Sequence, residues 1–138
     1  MLTHEILSVP AAICPDRTAI IFEGESQSFT QLDDHSSRLA DSLLQQGIKA
    51  GDRVAMLQVN TPEVVAAYFA CAKMGAVFVP LDFRARVGEL TFRLQNSGAK
   101  ALFMGERYLP MVDTLRQGVP TLEKFISLVA AASPDMVD

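Results

Sequence analysis

Chemistry in this sequence concentrates in five consecutive residues, Asp82-Phe83-Arg84-Ala85-Arg86. A guanidinium presents parallel N–H donors that match a phosphate, so Arg84 and Arg86 are candidate anion ligands. A solvated loop with surface ion pairs accounts for the same residues. The pair Asp33-Asp34 offers two carboxylates for proton transfer, but neighbouring helix positions point about 100° apart and do not converge. Two acids opening a helix, where the dipole favours negative charge, fit better. His4 and His35 fall outside any metal-ligand spacing; His35, between Asp34 and Ser36, reads as solvated or half-buried. Cys14 and Cys71 lie far apart with no CxxC spacing, which excludes a disulfide scaffold and a thiolate zinc site and fits a reducing compartment. Ser97, Ser127 and Ser133 have no base in sequence reach, and Tyr68 and Tyr108 fall on helical stripes as core or core edge. The glycines stand singly, with neither GxxxxGK[ST] nor GxGxxG, so no run of backbone N–H groups turns toward one phosphate. The sequence therefore assigns no catalytic residue and no metal ligand.

The elements that must position these residues follow from periodicity. A helix is expected over Glu5–Ala12, then a hairpin of Ala19–Phe22 and Ser28–Thr30 around Glu23-Gly24-Glu25-Ser26. Thr30 is the expected N-cap of a helix that buries Leu32, Leu39 and Leu43 and stops at Gly47. Val54–Leu57 reads as a strand, and Asn60-Thr61-Pro62-Glu63 as a helix start with a cap, Pro at the first position and an acid behind it. That helix, through Val65, Phe69 and Ala72, is apolar nearly all round and closes at Lys73 and Gly75. A strand at Val77–Leu81 carries Pro80 at its end or on an edge. A helix from Val87 to Asn96 turns Val87, Leu90 and Leu94 inward, and Ala101–Met104 is a third strand. Tyr108, Met111, Val112 and Leu115 form one helical stripe. Leu122–Ala132 fits either a helix or a short strand at Phe125–Val129, and 133–138 reads as a tail.

The strands start roughly 23 residues apart with a helix between each pair, the pattern of βαβ units. The fold class is α/β: three layers around a mostly parallel sheet, preceded by a helix and a hairpin. One domain is expected over 1–138, with the helix at 1–18, the hairpin at 19–30, βαβ repeats at 31–132 and the tail at 133–138. The stretch Val64–Leu81 has 18 residues with one charge, but Lys73, Gly75 and Pro80 interrupt it, so a buried helix running into a strand explains it better than a transmembrane span. The start, Met1-Leu2-Thr3-His4-Glu5, lacks a signal-peptide pattern. Apolar residues make up 49%, enough for a core, and a net charge of −4 repels nucleic acid. A cytoplasmic location is expected.

Six segments in order resemble the opening of the AMP-binding, adenylate-forming enzymes. They are Phe29-Thr30-Gln31-Leu32, Gly51-Asp52-Arg53-Val54-Ala55, Asn60-Thr61-Pro62-Glu63, the run Ala72 to Leu81, Glu89-Leu90 and Ser97-Gly98-Ala99-Lys100. The resemblance spans about Pro15 to Leu109, and Pro80–Leu90 looks most like the fatty-acid and aryl CoA ligases. It implies a partial N-terminal subdomain of the adenylate-forming fold, and a parent enzyme that converts a carboxylate to an acyl-adenylate and then to acyl-CoA. ATP, Mg and coenzyme A are implied for the full-length enzyme and none bound to this piece, because the family's phosphate loop and catalytic lysine lie beyond the matched region. In some of these ligases the arginine a few residues after the Pro-Leu pair lies near the nucleotide phosphate of coenzyme A, and Arg84 matches that position. Asp82 departs from the pattern, standing where asparagine is more usual, and its carboxylate opposes the charge of Arg84.

The resemblance makes the remainder of the same enzyme the natural partner. A piece cut from a larger sheet exposes apolar faces and should self-associate, a long-chain fatty acid being one substrate class of the parent. Two other readings remain open: a stand-alone binding or oligomerisation module without catalysis, and a small flavodoxin-like binder using the loops at Asn60, Asp82 and Gly105.

Overall fold

A computed structural model describes residues 1–128, so residues 129–132 of the last segment and the expected tail at 133–138 lie outside the described residues. The chain divides into two compact units, Met1–Ala50 with Asn60–Ala76, and Gly51–Val59 with the residues from Val77 onward.

The first unit holds α1 (Glu5–Ile13), the antiparallel hairpin β1 (Thr18–Phe22) and β2 (Glu25–Ser28), α2 (Phe29–Gln45) and α3 (Pro62–Met74). Glu23 and Gly24 both have positive φ, +50° and +80°, as a two-residue hairpin turn matching the strand twist requires. The helix after the hairpin starts earlier than the sequence suggests. Ser28, not Thr30, is the N-cap: its Oγ accepts from Gln31 N–H at 3.1 Å, while Gln31 Oε1 accepts from Ser28 N–H at 2.8 Å. This reciprocal box satisfies two end donors where Thr30 would satisfy one. The hairpin therefore ends at Ser28, and Asp33 lies past the first turn of α2.

Leu7, Leu32 and Ala66 centre the core of this unit, with Ile20, Phe29, Leu39 and Phe69 packed around them. Along α3 the small residues Ala66, Ala67, Ala70 and Cys71 are buried. Tyr68 is 40% exposed and stands edge-on to Phe69, the core-edge side of its expected placement. Thr61 is the N-cap of α3 by backbone conformation, but its hydroxyl makes no capping bond, so Pro62 and Glu63 carry the helix start. Ile6, Val9 and Ile13 on α1, with Leu2 just before it, stay exposed.

The second unit is a parallel sheet in the order β4-β3-β5-β6, built from β3 (Arg53–Leu57), β4 (Val77–Pro80), β5 (Ala101–Gly105) and β6 (Lys124–Leu128). Pro80 ends an edge strand, where a missing N–H costs no ladder bond. The strand reading of the last segment holds, because Ala101 to Gly105 pair in register with Lys124 to Leu128. Helix α4 (Val87–Ser97) buries Leu90 and Leu94 against Leu57, Leu102, Met104 and Leu115. The expected single helix after β5 is instead a 3-10 helix, Glu106–Met111, followed by α5 (Val112–Gly118). Pro110 has no N–H to donate, so an α-helical bond is lost there and the tighter turn takes over. Tyr108 and Leu115 of the predicted stripe are buried, while Met111 and Val112 are partly so. Among the described residues no helix is long and apolar enough to cross a membrane.

Candidate functional site

The loop between β4 and α4 is anchored through its backbone and leaves the side chain of Arg84 exposed. Leu81 and Ala85 are buried at its two ends. Leu81 N–H donates to Met56 O at 3.0 Å, and Ala85 N–H to Asp82 O at 3.0 Å. Tyr108 Oη donates to Phe83 O at 3.0 Å, fastening the middle from the far side of the core. Arg86 begins α4, its N–H donating to Glu89 Oε2 at 3.1 Å. Against this frame Arg84 keeps 79% of its side chain exposed. Its Nε approaches Asp82 Oδ1 at 3.5 Å, and its guanidinium lies 5.5 Å from the Phe83 ring centre. Asp82 takes its firmer bond from the backbone, accepting from Arg84 N–H at 2.9 Å. That bond, with the fields of Arg84 and Arg93, holds the Asp82 carboxyl below the usual carboxylate range.

This geometry suits reversible anion binding. The guanidinium is largely exposed, its single intraloop ion pair lies at the surface and is worth little, and hydrogen bonds anchor the loop that carries it. Such a guanidinium has the fork of donors that matches a phosphate. Nothing in the local pattern marks Arg93. It sits on the outer face of α4 beside Phe92, which is 67% exposed, and it adds a second positive charge near Asp82. Its offset of nine residues from Arg84 is invisible until the loop and helix are folded together.

The other candidates resolve into structural roles. Asp33 does not cap its helix; its Oδ1 meets Lys73 Nζ at 2.6 Å. Lys73 also donates to Asp33 O at 3.0 Å and Ser37 Oγ at 2.7 Å, so all three ammonium donors are used in joining α3 to α2. The sequence marked Lys73 as a helix end and could not show this pairing across forty positions. His35 is half-buried on α2, and burial lowers its pKa, with Glu63 opposing that and Arg38 adding to it. Burial pushes the Cys71 thiol up to about 12, which keeps it protonated and inert at neutral pH. Gly105 does not line an open crevice, because a Cβ there would strike the Gln58 carboxamide. Among the described residues no group of three or more His, Cys, Asp or Glu is placed to hold a metal ion.

The sequence profile of the AMP-binding enzyme family matches residues 8–136. Feruloyl-CoA synthase from an Amycolatopsis species is 39% identical over 108 residues, covering 78% of this chain and 22% of that protein. Crotonobetaine/carnitine–CoA ligase from Salmonella paratyphi A is 34% identical over 129 residues, covering 90% of this chain and 25% of the relative. The chain thus spans a quarter or less of the length of these curated relatives. Among solved structures, the N-terminal domain of FACL13 from Mycobacterium tuberculosis superposes with a TM-score of 0.87 at 30% identity, covering 92% of this chain and 34% of that one.

Proposed function

The chain belongs to the AMP-binding enzyme family, and from that premise we propose that it is the N-terminal portion of an ATP-dependent acyl-CoA ligase acting on a fatty or aryl acid. The observation that carries this reading is the family match over nearly the whole described chain, with CoA ligases as relatives on the sequence side and a putative long-chain-fatty-acid CoA ligase among the similar structures. In the parent enzyme ATP supplies the adenylyl group that activates the carboxylate, with magnesium offsetting the triphosphate charge and coenzyme A accepting the acyl group. The described residues form no phosphate cradle and no metal-ligand group, so they do not fit ATP or magnesium, and no step through either is assigned to them. Coenzyme A is different. The exposed, weakly paired guanidinium of Arg84 fits its nucleotide phosphate, and the pinned backbone around Phe83 and Ala85 holds that arginine in place.

On this reading the 138-residue chain supplies scaffold and one CoA contact and has no activity by itself. It works in the cytoplasm as part of the longer enzyme, its partner being the remainder of that enzyme. Isolated, it associates through the exposed apolar residues Leu2, Ile6, Val9 and Ile13. Those residues also favour the second reading, a non-catalytic oligomerisation module.

The test is carboxylate-dependent ATP–pyrophosphate exchange by the protein that carries this chain, run on a panel of fatty and aromatic acids. Exchange that depends on one acid class, with a thioester appearing when coenzyme A is added, is the expected result. Absence of exchange with every acid, alongside a stable symmetric oligomer, overturns the ligase reading in favour of the module.

A further inference from the structure

Helix α4 turns Leu90 and Leu94 into the core and presents Gly88, Glu89, Phe92 and Arg93 on its outer side, where they line a shallow groove. Phe92 is 67% exposed. One exposed ring is ordinary on a protein surface, but the residue one turn before it is not. Gly88 has no positive φ, and a Cβ built there would meet nothing within 4 Å. Neither its backbone nor its neighbours among the described residues call for glycine, and glycine weakens a helix relative to alanine. The result is a knob beside a gap, since positions four apart share a helix face.

Glu89 and Arg93 are also four apart, on the row next to Gly88 and Phe92. Both are exposed, and neither makes an ion pair among the described residues. Glu89 Oε2 accepts from Arg86 N–H at 3.1 Å, a bond that leaves the second oxygen for another donor. Such a face is complementary to itself turned end for end. When two copies of α4 pack antiparallel about a two-fold axis, each Phe92 lies over the partner's Gly88 and each Glu89 faces the partner's Arg93, so both contacts form twice. We infer that the outer face of α4 is an interface between two copies of this chain. An unrelated segment would have to bring its own ring, gap and pair of charges in this order, whereas a second copy brings them by symmetry. One helix face falls short of the ~800 Å² per partner of standard interfaces, so the dimer dissociates at roughly micromolar concentrations or above. The inference does not rest on the ligase reading, and α4 is a different surface from the exposed residues of α1.

The experiment is sedimentation equilibrium of the full-length protein carrying this chain, from about 1 to 500 µM, where a monomer–dimer equilibrium is expected. Phe92→Ser should raise the dissociation constant at least about tenfold. Gly88→Gln, which fills the gap without touching the rest of the monomer, should do the same while the denaturant midpoint at low protein concentration holds or rises. Arg93→Glu sets like charges opposite each other and should weaken the dimer about fivefold or more, and adding Glu89→Arg to it should restore most of the loss. Arginine cannot accept from Arg86 N–H as Glu89 does. Should the exchanged chain lose α4, Glu89→Gln, which keeps that acceptor, takes its place and should weaken the dimer about threefold. A full-length protein that stays monomeric, as when another part of the enzyme covers α4, overturns the inference. So does an oligomer indifferent to Phe92→Ser and Gly88→Gln, a charge exchange no better than Arg93→Glu alone, or, in its place, a Glu89→Gln dimer as tight as the parent.

Discussion

Lys73 in the first unit and Arg84 in the second are both single cations beside an aspartate, and their surroundings give them opposite uses. Lys73 keeps 16% of its side chain exposed and spends every donor on Asp33 and Ser37. Arg84 keeps 79% exposed and makes one long contact to Asp82. A partly buried, saturated ammonium is part of the fold, because removing it leaves a carboxylate without its partner in a poorly hydrated place. An exposed guanidinium on a fixed loop adds little to stability and keeps its donors for a ligand. What separates structural charge from available charge is whether the donors are already used, and residue type alone does not reveal it.

The sharpest way to break the contrast is to test whether stability resides where the burial says it does. Leu90→Ala, inside the core between α4 and the sheet, should cost about 2–5 kcal/mol in a denaturant titration, the range for a cavity left by a buried leucine. Lys73→Met should cost about 1–3 kcal/mol, since Asp33 keeps its charge and loses its partner. Arg84→Gln should stay within about 0.5 kcal/mol of the parent. If the Lys73 and Arg84 variants unfold at the same denaturant concentration, the distinction between them fails. Gly105→Ala should lose at most about 1 kcal/mol, since a Cβ there meets only the movable end of the Gln58 side chain, and Gln58→Ala in the same chain should restore most of it. Additive losses would show that the two do not meet.

The smallest effect is a pH dependence in the first unit. His35 has its pKa lowered below 6.5 by burial, so the unfolded chain binds a proton more readily than the folded one. The stability it contributes is complete above pH 6.5 and is lost as the pH falls from there through the folded value. His35→Gln should flatten that slope in thermal melts between neutral and mildly acidic pH. A slope unchanged by the substitution assigns the effect to another group.

Much of this was legible in the residues. Three strands, the helices between them, the edge position of Pro80 and the stop at Gly75 follow from periodicity and from residues with narrow backbone preferences. Ser28 was missed because Thr30 is an equally good cap by type, and only the Gln31 side chain reaching back decides between them. The break at Pro110 was missed because the stripe from Tyr108 to Leu115 has helical spacing on either side of it. The site divides in the same way. Arg84 stands out in a local run and by resemblance. The anchoring of its loop by Tyr108 to Phe83, and the field of Arg93 at Asp82, join residues 25 and 11 positions apart that no local pattern links. The pairing of β6 with β5 was open in the sequence between strand and helix, because both periods fit its apolar residues.

The measurement that bears most directly on the central claim separates the two half-reactions in the full-length protein carrying Arg84→Gln. The account predicts that pyrophosphate exchange with the preferred acid is unchanged, while the KM for coenzyme A rises about tenfold or more, as loss of one charged phosphate contact implies. A KM for coenzyme A equal to that of the parent, or an equal loss in both half-reactions, would contradict it.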